Sequence, residues 1–395
     1  ATMTSQTSAL ALADRSGQAA GDARWRIAAI FFINAIAGST LNIRIPDLQI
    51  GAGISDVELG FVLMGQSIGA LSVFPFVSRL IEAIGTRSVI LVGYLLTVLT
   101  GALMTVSSSG LVMFLMLFAN GAAGNVAGIA INVEADRVEA QTGSRILSRC
   151  HGAWSASFFL FSLAAGLFRS FGLSPTIHLW AIVPIFAVLT VALVVPMSEA
   201  PPRQHNGAAR QSRFSWPTLA VVALVAFALG SQILEVSARV WATIYLRDAF
   251  NVAAIVESSA LPALVLTMAI GRLSADRWID AYGPRRVANL LSAVAFAGLA
   301  VVVVAPNAYV AIAGFAIAGL GLGALFPIAV SGAARLGDRS AAANVAAMTL
   351  IIQLVMMMAP MLIGAIAQGF GVRAAFGCML PVLALSWVMA RVLDR

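Results

Sequence analysis

A chain of 395 residues that is 60% hydrophobic, only 10% charged and of mean hydropathy +0.93 is too apolar to hide its side chains in a water-soluble core. Soluble domains carry about 25% charged residues, so the bilayer is the solvent this composition fits. The net charge is +7, and all 24 basic residues are arginine. In a membrane chain such an excess collects in cytoplasmic loops rather than marking a nucleic-acid surface.

In chain order, residues 1–23 are rich in Ser, Thr and Ala and lack the basic-then-apolar order of a signal peptide. They read as a disordered cytoplasmic tail. Twelve apolar segments follow, each near or above the roughly 20 residues needed to span a bilayer. They lie near 25–46, 56–82, 87–107, 110–135, 146–170, 176–196, 215–243, 252–275, 286–305, 308–333, 341–367 and 373–392. The polar stretch 197–214, with Pro201-Pro202, separates a bundle at 24–196 from a second at 215–395 and reads as a cytoplasmic linker. With the N-terminus inside, nineteen arginines fall on the cytoplasmic side and five on the other. That bias places both termini in the cytoplasm.

A charged motif is written twice. Arg79-Leu80-Ile81-Glu82-Ala83-Ile84-Gly85-Thr86-Arg87 returns as Arg277-Trp278-Ile279-Asp280-Ala281-Tyr282-Gly283-Pro284-Arg285, an offset of 198. Phe118-Ala119 and Gly124 return as Phe315-Ala316 and Gly321, and Arg145 as Arg339. A six-helix unit has been duplicated. An even helix number gives the halves the same orientation, the arrangement for which the two halves of major facilitator transporters are the standard example.

The second copy, Gly271-Arg272-Leu273-Ser274-Ala275-Asp276-Arg277 with Gly283-Pro284-Arg285-Arg286, resembles the loop motif of the major facilitator superfamily. The first copy has Ser78 where the motif has its acid. The resemblance implies an all-α, twelve-helix fold of two parallel repeats that works by alternating access. It implies that helices 1, 4, 7 and 10 line the cavity. It also implies that Asp276, with Arg277 and Arg285, latches the cytoplasmic face. Three further patches narrow the branch: Asn42-x-Arg44-x-Pro46, Asn132-x-Glu134 with His151-Gly152-x-Trp154-Ser155, and Glu235 with Trp241 and Tyr245-Leu246. Together they resemble a bacterial branch related to fucose permease, which includes rhizopine permeases of the MosC type. In that relative the first and fourth helices carry acids implied in proton coupling. Here the corresponding positions are Asn42 and Gly128, which puts the same proton pair in doubt.

Polar residues inside apolar helices are costly and mark a cavity or a partner. On this ground Asn34, Asn42, Asn120, Asn125, Trp154, Gln232, Glu235 and Gln353 are the candidate substrate-binding residues. Glu235 meets a substrate amine or hydroxyl, takes a proton, or pairs with Arg239 at i+4. Arg44 and Asp47 form an outer gate. Glu134 pairs at the cytoplasmic interface, with Arg145 or Arg149. His151 makes a hydrogen bond at the cytoplasmic gate. An amide-rich pocket with one carboxylate fits uptake of a sugar, a polyol or an amino-cyclitol such as a rhizopine, with protons as the coupling ion. A proton-coupled drug or metabolite exporter of the same fold is the alternative, and a non-transporting membrane sensor a second one. The expected setting is the bacterial inner membrane, as a monomer. With no lysine there is no P-loop. The three histidines and the two cysteines, Cys150 and Cys378, lack metal-ligand spacing. Neither enzyme activity nor a cofactor is expected.

Overall fold

The computed structural model describes residues 2–107, 109–143, 146–201, 217–338 and 340–394. Arg145, Arg339 and the linker from residue 202 onward lie outside them. The described chain is helical throughout: α1 (Thr2–Ala52), α2 (Asp56–Val73), α3 (Val77–Leu103), α4 (Gly110–Thr142), α5 (Leu147–Ser170), α6 (Pro175–Val194), α7 (Leu219–Phe250), α8 (Ala254–Glu257), α9 (Ala260–Tyr282), α10 (Pro284–Val304), α11 (Ala308–Leu322), α12 (Leu325–Arg335), α13 (Ala341–Phe370), α14 (Val372–Gly377) and α15 (Leu380–Met389). The backbone of α1 is helical back to Thr2, through the stretch read from sequence as a disordered tail. Side-chain caps fix many of the starts. Ser55 and Glu58 form a capping box at α2, and Ser174, Thr218, Asn307 and Ser340 cap α6, α7, α11 and α13.

Eleven stretches among the described residues are long and apolar enough to cross a membrane. One of them, Asp56–Val106, runs 51 residues. At 1.5 Å per residue that is about 75 Å, far beyond a hydrocarbon core of about 30 Å. It is broken at Gly85, whose φ of 81° and ψ of 159° no helix accommodates. Four sequence-predicted helices are also split: α2 from α3, α8 from α9, α11 from α12 and α14 from α15.

The two charged hinges lie at Gly85, inside α3, and at Gly283, between α9 and α10. Six crossings separate them, so they share one end of the molecule, here termed the hinge end. Three apolar cores are present. One is built from α1, α3, α4 and the residues up to Ala200 at the hinge end of the first half. A second is built from α7, α10, α12 and α13 at the hinge end of the second half. The third draws on both halves, joining α1, α2 and α5 to α7, α9, α11 and α14, and fills the opposite end. The halves therefore share a core at the opposite end and keep separate cores at the hinge end. At the shared end α2 crosses α13 so closely that a Cβ on Gly60 would fall 2.6 Å from Pro360 O, and one on Gly364 would fall 2.3 Å from Asp56 O.

Candidate functional site

Where the halves meet, a cavity of about 340 Å³ opens between α1, α2, α3, α4, α5, α7 and α13. No residue of α11, the expected tenth helix, is among those lining it; α2 and α13 line it instead. Five of the eight sequence-predicted binding residues are there: Asn34, Asn42, Asn120, Asn125 and Trp154. Gln66, Ser67 and Thr97 also line it and were missed, although Gln66 is as conspicuous in its apolar helix as Asn34 is.

The amides differ in what they have left to offer. Asn120 is nearly buried, donates to Thr97 O at 2.7 Å and Thr100 Oγ1 at 3.2 Å, and accepts from Gln66 Nε2 at 3.4 Å. It is a structural tie between α2, α3 and α4. Asn125 spends its amide nitrogen on Ala70 O at 2.7 Å and keeps its carbonyl oxygen. Asn34 and Asn42, eight residues and about two turns apart on α1, have no hydrogen-bond partner among the described residues. Trp154 stacks obliquely on Phe158, ring centres 5.1 Å apart.

Glu235 is corrected by its neighbour. Its Oε1 accepts from Arg239 Nη2 at 2.7 Å, and Glu235 itself is not among the lining residues. Arg239, named from sequence as the possible partner of Glu235, lines the cavity, its guanidinium 5.7 Å from the centre of the Phe158 ring. The one charge presented to the cavity by the described residues is thus cationic. Gln232, one turn before Glu235, and Gln353, in the middle of α13, do not line the cavity either. A polar side chain inside the membrane serves helix packing as readily as a pocket. A Cβ at Gly128 would meet nothing within 4 Å.

Arg44 and Asp47 come together at the shared end, within a larger network than the sequence suggested. Arg44, fully buried, donates to Asp47 Oδ2 at 2.9 Å, His178 Nδ1 at 3.0 Å and Leu173 O at 2.8 Å. Arg169 donates to Asp47 Oδ1 at 2.7 Å and, across the two halves, to Glu257 Oε2. Val57 N donates to Gln368 Oε1 at 3.1 Å in the same region. His178, Arg169 and Glu257 went unremarked because their partners are distant in sequence.

At the hinge end Glu134 is fully buried. It accepts from Thr86 Oγ1 at 2.6 Å and Ala200 N at 2.7 Å, with Arg137 at 3.8 Å. The described partner is Arg137 rather than the expected Arg149, which is exposed. Glu199 accepts from Arg87 N at 3.0 Å. His151 lies edge-on to Phe31, ring centres 5.2 Å apart, and makes no side-chain hydrogen bond among the described residues. The expected latch is open: Asp276 and Arg277 are exposed, and Asp276 has no partner among the described residues. Asp276 borders a second cavity of about 800 Å³ with Arg272, Asp280, Ser331 and Arg335. Arg285 is engaged elsewhere. Cys150 and Cys378 are both free thiols.

Known proteins bear on this architecture. A membrane protein MosC of Rhizobium meliloti is 25% identical over 363 residues, 91% of this chain and 86% of that one. The transporter y4wD of Sinorhizobium fredii is 26% identical over 376 residues, 94% and 98% of the two chains, and an MFS-type transporter of Yersinia pestis is 24% identical over 369 residues, 92% and 94%. Among solved structures, a bacterial homolog of the human lysosomal transporter Spinster, in an inward-facing, unoccupied conformation, superposes with a TM-score of 0.75 at 11% identity, covering 95% of this chain and 98% of that one. The nucleoside transporter NupG superposes with a TM-score of 0.70 at 15% identity, covering 94% and 98%. These two likenesses speak to the fold alone. The family model of the Major Facilitator Superfamily matches residues 27–279. A duplicated helical chain with a cavity between its halves, matched over most of its length by that model, belongs to the Major Facilitator Superfamily.

Proposed function

We propose that this secondary transporter takes up a small hydroxyl-rich solute, of the sugar, polyol or cyclitol kind, by alternating access. The observation that carries this reading is the pair Asn34 and Asn42, two cavity-lining amides left without partners. An amide offers two donors and an acceptor, the complement of a hydroxyl pair. Both are half-buried where they line the cavity, so their donors and acceptors are available to whatever solute enters it. Trp154 supplies a flat apolar surface for the carbon face of such a solute. An amino-cyclitol of the rhizopine type is the alternative form of this reading, and it would need Glu235 freed from Arg239 to meet its ammonium.

With the break at Gly85 read as a turn between two crossings, the number comes to twelve, which supports two six-helix halves, 24–196 and 215–395. The arginine bias supports a cytoplasmic hinge end, with both termini there and the chain a monomer in the inner membrane. The state described is then inward-facing: the halves share a core on the outer side, and Asp276 is unlatched. Glu235 is the group a coupling proton would use.

The test is thermal stabilisation of purified protein by sugars, polyols, inositols and amino-inositols, followed by uptake into proteoliposomes. Each Asn→Ala change at positions 34 and 42 removes about 1 kcal/mol of hydrogen bonding, a loss of affinity of about fivefold. Stabilisation by apolar drugs and not by any hydroxylated solute would overturn the reading in favour of export.

A further inference from the structure

Arg239 narrows the cavity's chemistry. It is the one charged side chain among the described residues lining the cavity. A guanidinium carries five N–H donors in a planar fork and no acceptor. One of these groups, on Nη2, reaches Glu235 Oε1 at 2.7 Å, and Arg239 makes no other hydrogen bond among the described residues. The guanidinium carbon lies over the Phe158 ring, 5.7 Å from its centre. Nε, Nη1 and the second hydrogen of Nη2 have no partner among the described residues, which leaves one two-donor edge of the fork that includes Nη2. Trp241, fully buried and bordering the same cavity, adds an indole N–H with no partner.

The pair is arranged so that its anion is withdrawn and its cation presented. Glu235 neutralises Arg239 while the cavity is empty, which makes a charge at membrane depth tolerable. It does not use up the edge. A ligand ammonium would meet Arg239 before Glu235. A ligand carboxylate would meet two parallel N–H groups at the spacing its oxygens match.

We propose that Arg239 is the specificity-determining residue and that the preferred solute is a hydroxylated monocarboxylate, a sugar acid, with its carboxylate on the two-donor edge that Glu235 leaves open and its hydroxyls on Asn34 and Asn42. This rests on the hydroxyl-rich reading above and narrows it to one charge class.

Three probes share a six-carbon polyhydroxylated chain and differ at one carbon: gluconate, glucitol and glucamine. Their binding to the purified full-length protein is measured by titration calorimetry. Gluconate is expected to bind at least tenfold tighter than glucitol, and glucamine weakest. Arg239→Gln collapses the gluconate-to-glucitol ratio to near one. Arg239→Lys, which keeps the charge and loses the fork, retains part of it. Glu235→Gln, which removes the competing negative charge, raises the ratio. Equal binding of gluconate and glucitol, tighter binding of glucamine, or an unchanged ratio in Arg239→Gln overturns the assignment and leaves the hydroxyl-rich reading standing. Binding of none of the three, nor of the corresponding inositol series, overturns both.

Discussion

The two hinges have nearly the same backbone and opposite surroundings. Gly85 sits at φ 81°, ψ 159° and Gly283 at φ 82°, ψ 156°, so each turns the chain in a conformation that favours glycine. Each is followed by a helical start with unsatisfied N–H groups. The first copy solves this with distant carboxylates. Glu199 accepts from Arg87 N and occupies the space beside Gly85, while Glu134 binds Thr86 and Ala200 N. A carboxylate also suits the positive end of a helix. The second copy has Pro284 at the first helical position, which deletes a donor instead of capping it. A Cβ at Gly283 would meet nothing within 4 Å. Duplicated backbone has thus been kept while its support diverged: one hinge is clamped to the segment that leaves its half, and the other starts its helix with proline and leaves Asp276 exposed.

The comparison is most sharply tested at Glu134. Removing it in Glu134→Ala leaves a buried hydroxyl and a buried N–H without acceptors, a loss of about 2–4 kcal/mol. The matching position in the second half, 197 residues on, is Ser331, which borders solvent-filled space. Ser331→Ala should stay within about 0.5 kcal/mol. Thermal unfolding in detergent reads both, and a similar loss at the two sites would break the contrast.

Next in size is the glycine pair. Alanine at either hinge carries the strain of positive φ, about 1–2 kcal/mol. At Gly85 the new Cβ would also fall 2.3 Å from Glu199 Oε1 and push that carboxylate off Arg87 N. Gly85→Ala should therefore lower the melting temperature further than Gly283→Ala does. Equal drops would mean that Glu199 is not seated there.

The smallest expected effect on stability is at the exposed acid. Asp276→Asn should leave the melting temperature unchanged, because no described partner is lost. If the latch implied by the family resemblance forms when the hinge end closes, transport should slow while stability holds. A fall in melting temperature with unchanged transport would reverse that expectation.

How much of this was legible in the sequence follows from range. The repeat and its unequal acid, Ser78 against Asp276, are local text. Polar residues stranded in apolar helices led to Asn34, Asn42 and Trp154. The same criterion also picked Gln232 and Gln353, which do not line the cavity, because polarity within an apolar helix does not say which way the side chain faces. Glu235 and Arg239 are a turn apart, so their pairing was visible, but which of them faces the cavity depends on how α7 is rotated against its neighbours. Glu199 lies 112 residues from Arg87, and His178 lies 134 from Arg44. No periodicity connects such partners, and only the packed structure does.

The close crossing of α2 and α13 has a consequence for how the molecule switches. Side-chain contacts yield gradually, because rotamers can follow a moving partner. Gly60 against the Pro360 carbonyl, and Gly364 against the Asp56 carbonyl, put main chain on main chain with nothing between to adjust. Such a contact is either made or broken. The seal at the shared end therefore behaves as a latch with two positions rather than as a spring, and its set point depends on the size of a single carbon atom. A methyl group added at Gly60 would act as a wedge, driving the population toward an arrangement open at the shared end.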